Sequence, residues 1–386
     1  MIRKSYRSLR EFYDAFTKGL TTSELQRLWG PELKDMYSFY ARSVRAPNPR
    51  DGKAVRVLKF AWYLFLAFLL KLTPGRRLFY AVATVLVFVG LWQGDILYLF
   101  YAFVIVSLLL ALELAERLIT RDELEFAREI QLSLFPVAVG PIPGYSVATS
   151  TEVAQSVGGD YLDVLRLKDG STMIVIGDVS GKGISAALYM IKVQTALQLF
   201  ANEETDIRKI AALLNRYMVG KLVRNFFLTL CLVRLTPKGR LELVRAGHTP
   251  GLFYDVTARS MSWLQPKGAA IGLGAGGTQA PEMNGPGFLK NLDMEKRTLK
   301  EGDTLVLFTD GVVEAVNETG EEFGEARLLQ VVTTSAGSTP GQLKERMLEA
   351  FRAFRHGTAL RDDTTFVIIR REKPIKPNKQ SERSAS

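Results

Sequence analysis

The sequence predicts an α+β chain in which an apolar helical region precedes a larger domain of antiparallel sheets with helices packed outside. Three observations carry this. Residues 78–92 and 96–112 are two uninterrupted apolar stretches separated by the polar triplet Gln93-Gly94-Asp95. From Gly144 onward, short runs of β-forming residues are joined by tight turns, as in adjacent antiparallel strands. Among these runs lie amphipathic stretches at helical period, which place helices against the sheets.

The elements follow in chain order. Residues 1–53 are polar and basic. Leu9, Phe12, Phe16 and Leu20 recur at helical spacing, so a short amphipathic helix is expected there. No apolar run near the start suits a signal peptide. The chain carries a net charge of +10, and residues 1–77 hold 16 Lys/Arg against 6 Asp/Glu. The other 309 residues carry 34 of each sign. A basic head on a neutral body points to anionic lipid or the positive-inside rule before nucleic acid. No zinc spacing or basic stretch interleaved with aromatics supports nucleic-acid binding.

Residues 54–112 read as a membrane region. The stretches 78–92 and 96–112 are at the short end for spanning helices and form a hairpin around Gln93-Gly94-Asp95. Arg76-Arg77 places the start of this hairpin on the cytoplasmic side. Residues 57–72, which contain Lys59 and Lys71, read as an interfacial helix or a further span. Residues 113–136 follow as a charged helical linker with Leu118, Ala127, Ile130 and Leu134 along one stripe, stopped at Phe135-Pro136. Such a helix serves as a dimerisation seam and lever, or as a spacer.

Residues 137–371 form the large domain. Strands are expected at 145–151, 161–167 and 172–179, the last two joined by the turn Lys168-Asp169-Gly170-Ser171. Helices follow at 184–200 and 206–219. Strands 226–235 and 240–246 flank the turn Thr236-Pro237-Lys238-Gly239. Later strands are expected at 303–309 and 365–370, with a helix near 340–354. Residues 372–386 are polar and read as a disordered tail. The single Cys231 excludes an intramolecular disulfide, fits a reducing compartment and lies in a strand that reads as core.

The chemistry lies in four acidic stations at strand edges. They are Gly158-Gly159-Asp160-Tyr161-Leu162-Asp163, Gly177-Asp178-Val179-Ser180-Gly181, Thr309-Asp310-Gly311 and Asp362-Asp363-Thr364. Carboxylates held beside buried strands are costly unless something positive neutralises them. Oxygen donors suit hard divalent cations, so the stations read as a metal-dependent hydrolase site. One Asp-Gly turn is weak as a signal; four such stations in this order are strong.

Residues 124–370 resemble the bacterial SpoIIE-like branch of the PPM metal-dependent serine/threonine phosphatases, of the RsbU type. The resemblance rests on the four stations and on Ala127-Arg128-Glu129-Ile130-Gln131 with Leu134-Phe135-Pro136, Ala246-Gly247-His248-Thr249-Pro250, and the run from Leu307 to Ala315. It implies two stacked antiparallel β-sheets flanked by helices, an α-β-β-α sandwich. It also implies a phosphoserine/phosphothreonine phosphatase that uses two divalent cations, Mn²⁺ or Mg²⁺, to activate water for direct attack on phosphorus; the apolar hairpin, which the resemblance does not cover, makes the expected enzyme membrane-anchored. The implied substrate is a regulatory phosphoprotein such as an anti-sigma-factor antagonist. The apolar hairpin with Arg76-Arg77 before it makes the expected location the bacterial cytoplasmic membrane, with the catalytic domain in the cytoplasm.

By position, the resemblance makes Asp178 the carboxylate shared by both metals, with the Val179 carbonyl as a further ligand. Asp310 and Asp362 are the other direct ligands. Asp160 and Asp163 match acidic positions near the metals, and Glu314 stands where an extra ligand is found. Lys182 stands where many relatives carry His. Two roles are open to it, a cation that holds the substrate phosphate and an exposed turn lysine. His248 reads as structural, and His356 has no chemical role. The competing reading is a signalling scaffold of the same fold with weak or no activity. A nucleotide cyclase, suggested by Gly158-Gly159-Asp160, leaves the later stations unexplained.

Overall fold

A computed structural model describes residues 53–134, 140–219, 221–222, 226–273 and 286–373. The expected amphipathic helix near residues 9–20, the stop at Phe135-Pro136 and all but the first two residues of the expected tail at 372–386 lie outside these residues. The chain divides into two units at Ile119/Thr120, and each is described by itself.

In the first unit, α1 (Lys53–Lys71) is followed by α2 (Pro74–Gln93) and by the start of α3 (Ile96–Leu134). The turn between α2 and α3 falls at Gln93-Gly94-Asp95, as the polar triplet predicts. Gly94 adopts a left-handed conformation and caps α2. The Asp95 carboxylate accepts the Leu97 N–H at 2.9 Å and starts α3. Buried Gly90 lets the hairpin close, because a Cβ there would stand 3.1 Å from Tyr98 Cβ. Arg76 pairs with Glu113 at 2.7 Å and with Glu116 at 2.5 Å. Among the described residues, three helical segments are long and apolar enough to cross a membrane: Pro74–Gln93, Ile96–Gln131 and Ile184–Ala201. Helix α1, with Lys53, Arg56, Lys59 and Lys71, is not one of them.

The sequence boundary at residue 112 is not a structural one. Helix α3 runs unbroken for 39 residues, so the expected second span and linker are one helix. Nothing between Leu112 and Leu134 ends it: the stretch has no Pro or Gly, and charge alone does not stop a helix.

The second unit holds β1 (Tyr145–Glu152), β2 (Asp160–Arg166), β3 (Thr172–Val179), α4 (Ile184–Ala201), α5 (Ile207–Met218), β4 (Leu228–Leu235), β5 (Arg240–Ala246), β6 (Gly251–Asp255) and β7 (Ser260–Leu264). Then come α6 (Pro286–Lys290), β8 (Met294–Thr298), β9 (Thr304–Phe308), α7 (Asp310–Val313), α8 (Gly324–Thr334), α9 (Pro340–Arg355) and β10 (Thr364–Arg371). The strands form two five-stranded antiparallel sheets, ordered β1-β10-β9-β6-β7 and β2-β3-β4-β5-β8.

Three apolar layers fix the architecture. Ile174, Ile176, Cys231, Leu307 and Val367 pack between the sheets. Val175 and Leu232 of the second sheet pack with Met190, Leu197 and Leu214 of α4 and α5. Val306 and Ile368 of the first sheet pack with Leu328, Met347 and Phe351 of α8 and α9. The order is therefore helix, sheet, sheet, helix, and Cys231 is core as expected. Alternate residues of β3 serve opposite layers, which explains why that strand is apolar on both faces. Helix α4 is membrane-like in composition, yet its Val193, Ala196 and Leu197 are buried in this domain. Asp206 caps α5 through the Arg208 N–H at 2.9 Å, and Thr339 and Gln342 form a capping box on α9.

Candidate metal centre

One end of the sandwich gathers the acidic stations. Asp160 opens β2 and lies directly across from Asp178, near the end of β3. Asp178 in turn lies across from Thr229 of β4. These positions belong to the row of β2 and β3 that faces the other sheet. From that sheet, Thr309 follows β9 and donates its hydroxyl to Asp160 at 3.0 Å, while the Thr365 N–H donates to Thr309 Oγ1 at 3.0 Å. Asp310 begins α7 and Asp362 precedes β10.

The segment before β2 is pinned from two sides. Buried Asp363 accepts the Ala154 N–H at 2.8 Å and the Gly159 N–H at 2.7 Å. Buried Gln131, in the last turn of α3, donates to the Gly158 carbonyl at 2.6 Å and accepts the Gly158 N–H at 3.0 Å. Gly159 is required by the closeness of β3, since a Cβ there would stand 2.7 Å from the Val179 carbonyl oxygen and 3.1 Å from Asp178 Oδ1. Asp363 and Gln131 were not among the expected site residues. Their side chains make the double contacts of a strut; the signals in the sequence were the position of Asp363 beside Asp362 and of Gln131 in the stretch 127–131.

The electrostatics are those of crowded negative charge. Burial raises the Asp178 carboxyl to about 7, and the charges of Asp310, Asp362 and Asp363 add to this. Asp160 is held well above the usual carboxylate range by burial and then by Asp178, against the hydrogen bonds of Thr365 and Thr309. Asp310 is raised by burial and by Asp362. Exposed Glu314 is raised by desolvation and by Asp310, Glu322 and Asp362. The opposing cation is Lys182, whose Nζ lies 2.7 Å from Asp362 Oδ2 and donates to the Arg361 carbonyl at 2.6 Å.

This brings together Asp160, Asp178, Asp310, Asp362, Glu314 and Lys182, with Val179 ending β3 beside them. Asp163 stands apart. It lies on the face of β2 that packs on α4, where it accepts the Tyr161 hydroxyl at 3.1 Å and Gln198 Nε2 at 3.0 Å. The reason is the two-residue period of a strand, which sends positions 160 and 163 to opposite faces. His248 is fully buried, with Nδ1 2.9 Å from Thr229 Oγ1. Burial, and then the Arg245 guanidinium, push it down to about 3, so it stays neutral.

The donor set fits a hard divalent cation in its chemistry: several carboxylates and too little positive charge to balance them. Among the described residues, no three acidic, imidazole or thiolate side chains stand close enough to hold an ion as they are.

Two stacked antiparallel sheets flanked by helices are the architecture that the resemblance implied, and comparison with known proteins agrees. The structure superposes on the SiaA-PP2C domain of Pseudomonas aeruginosa with a TM-score of 0.53 at 20% identity, over 66% of this chain and 98% of that one. The family model for Stage II sporulation protein E (SpoIIE) matches residues 168–372, more than half of the chain. The chain belongs to the SpoIIE family. It is 26% identical to the phosphoserine phosphatase RsbU of Bacillus subtilis over 254 residues, 65% of this chain and 71% of that protein. It is 25% identical to the protein IcfG of Synechocystis sp. over 282 residues, 66% of this chain but only 42% of the relative.

Two expectations test this geometry. With divalent ions chelated, Asp178→Asn should stabilise the protein at pH 8 relative to the parent. The raised Asp178 favours the folded state only while protonated, so stability falls as pH rises from the carboxylate range through about 7. The gain should reach a few kcal/mol at most, because each tenfold change in proton affinity on folding is worth ~1.4 kcal/mol. It should shrink towards pH 5. Thermal unfolding in chelator at both pH values reads this out; equal midpoints at pH 8 would contradict the crowding. Gln131→Leu should strand the buried Gly158 amide and carbonyl. Denaturant titration should show a loss on the order of 1–3 kcal/mol.

Proposed function

We propose that this chain is a membrane-anchored, metal-dependent phosphoserine/phosphothreonine protein phosphatase of bacterial signalling. Its substrate on this reading is a regulatory phosphoprotein such as an anti-sigma-factor antagonist. The observation that carries it is the convergence of Asp160, Asp178, Asp310 and Asp362 at one end of the sandwich, in a member of the SpoIIE family. When bound, two divalent cations, Mn²⁺ or Mg²⁺, would lower the pKa of a water and neutralise a phosphoryl group.

The residues divide the work by position. Asp178, from the end of a central strand, is placed to be shared, with the Val179 carbonyl next to it. Asp310 and Asp362 are supplied by the opposite sheet. Asp160 is buried behind Asp178 and oriented by Thr309, so it acts on the neighbouring carboxylate and on water. Glu314, exposed at the end of α7, suits an outer position. Asp163 is left as a core hydrogen-bond acceptor. The Lys182 ammonium, half-exposed at the rim, suits the oxygens of an incoming phosphate.

Helices α2 and α3 are the proposed anchor. Arg76-Arg77 before α2 favours the cytoplasmic side for the ends of the hairpin and so for the catalytic domain. Membrane lipid is then a partner of α2 and α3. A homodimer through residues 113–134 is proposed from the apolar residues that α3 keeps exposed, Leu118, Phe126 and Ile130.

Turnover of a phosphoserine peptide by the full chain in detergent should require Mn²⁺ or Mg²⁺ and stop in chelator. Outer hydrogen-bond partners of a metal site are worth about 10–100-fold. Asp178→Asn, Asp310→Asn and Asp362→Asn should therefore each lower kcat/KM by at least about 100-fold, while Asp163→Asn stays near the parent. Metal-independent turnover would refute the reading, and no turnover by the parent would leave the scaffold. For topology, Cys231 is buried, so single introduced cysteines report cleanly. A cysteine replacing Gln93 should label from outside intact cells and one replacing exposed Ala336 only after lysis; the opposite pattern would place the domain outside.

A further inference from the structure

Lys182 reaches from the turn after β3 to Asp362, two residues before β10 and 180 positions away in sequence. Its Nζ contacts one carboxylate oxygen of Asp362 at 2.7 Å and the Arg361 carbonyl at 2.6 Å. Its charge also opposes the raised carboxyls of Asp178, Asp310 and Glu314. The remaining side chains that act on these three groups are acidic. Within the acidic end of the sandwich this ammonium therefore stands where positive charge is most needed.

We propose that Lys182 is a built-in countercation: it neutralises Asp362 in the metal-free protein, and a divalent ion using that carboxylate displaces it. This rests on the metal-dependent reading above. The physical reasons are competition and repulsion. An ammonium 2.7 Å from Asp362 Oδ2 occupies a lone pair that a metal would take, and its charge repels a second cation beside it. The displacement is feasible because the Lys182 side chain is 49% exposed and carried on a flexible four-carbon stem. Lys182 then has two linked effects. It stabilises the empty site, and it lowers the affinity of the filled one. A neutral side chain at 182 would lose both, whereas Arg keeps the charge.

The test is calorimetric titration of Mn²⁺ into the chelator-stripped full chain in detergent, beside thermal unfolding in chelator. Lys182→Met should bind Mn²⁺ roughly two- to fivefold more tightly, the range a half-exposed ion pair supports, and should unfold at a lower temperature when stripped. Lys182→Arg should stay near the parent in both. Asp178→Asn should lose Mn²⁺ binding. If Asp178→Asn loses binding while Lys182→Met binds Mn²⁺ as the parent does or more weakly, the countercation role is overturned and the metal centre stands. If Asp178→Asn binds Mn²⁺ like the parent, the metal-centre reading falls and the countercation role with it.

Discussion

The mutual repulsion of carboxylates at one end of the sandwich is the constraint on which the rest of this domain depends. Asp160 and Asp178 face each other across two strands, and Asp310 and Asp362 arrive from the opposite sheet. Left to themselves these groups would separate, or take up protons, as the raised Asp178 and Asp160 do. They stay together because each is fixed at the border of a strand or short helix whose neighbours are buried. Ile174 and Ile176 hold β3, Leu305 and Leu307 hold β9, and Val367 and Ile369 hold β10. The apolar layer between the sheets thus supplies the stability that the acidic end spends.

Rigidity is the second requirement, and the polar contacts supply it. Thr309 links both sheets, bonding Asp160 on one and Thr365 on its own. Asp363 ties the entry to β2 to the entry to β10. These groups are buried and hydrogen-bonded, which makes them inexpensive to keep and costly to break. Asp362 and Asp363 show how adjacent residues divide such work. Asp363 points inward and is consumed by backbone amides, while Asp362 remains partly exposed and is answered by Lys182.

Much of this was legible in the sequence, for identifiable reasons. Strands β3, β4 and β10 are apolar and bounded by turn residues, so the limits of β3 are as expected and those of β4 and β10 differ by at most two positions. The four stations each follow or open a strand, so their placement at strand ends was legible with the strands. The β6–β7 hairpin was missed although Ser260 and Ser262 alternate with Met261 and Trp263 as in a half-covered edge strand, because each strand is only five residues long. Strand β8, with Glu295, Lys296 and Arg297, is an edge strand with almost no apolar signal. Asp163 was misplaced because a motif records spacing in the chain, whereas the face a residue takes depends on where the strand begins. Had β2 been started at Asp160, the parity of 160 and 163 would have separated them.

Gln131 illustrates what no local pattern contains. It lies in a charged helix among residues that stay exposed, such as Phe126 and Ile130, yet it is nearly fully buried. Its amide matches both halves of the Gly158 peptide, a pairing only the folded chain can reveal. Two residues beyond Gly158 is Asp160, and the Gly159 amide between them is held by Asp363. A carboxamide is suited to this position because it offers a donor and an acceptor side by side without adding charge. A carboxylate there would lack the donor for the Gly158 carbonyl and would bring one more negative group towards Asp160, which is already raised by its neighbours. The same electrostatic limit that shapes the acidic end of the sandwich therefore also selects an uncharged strut to support it.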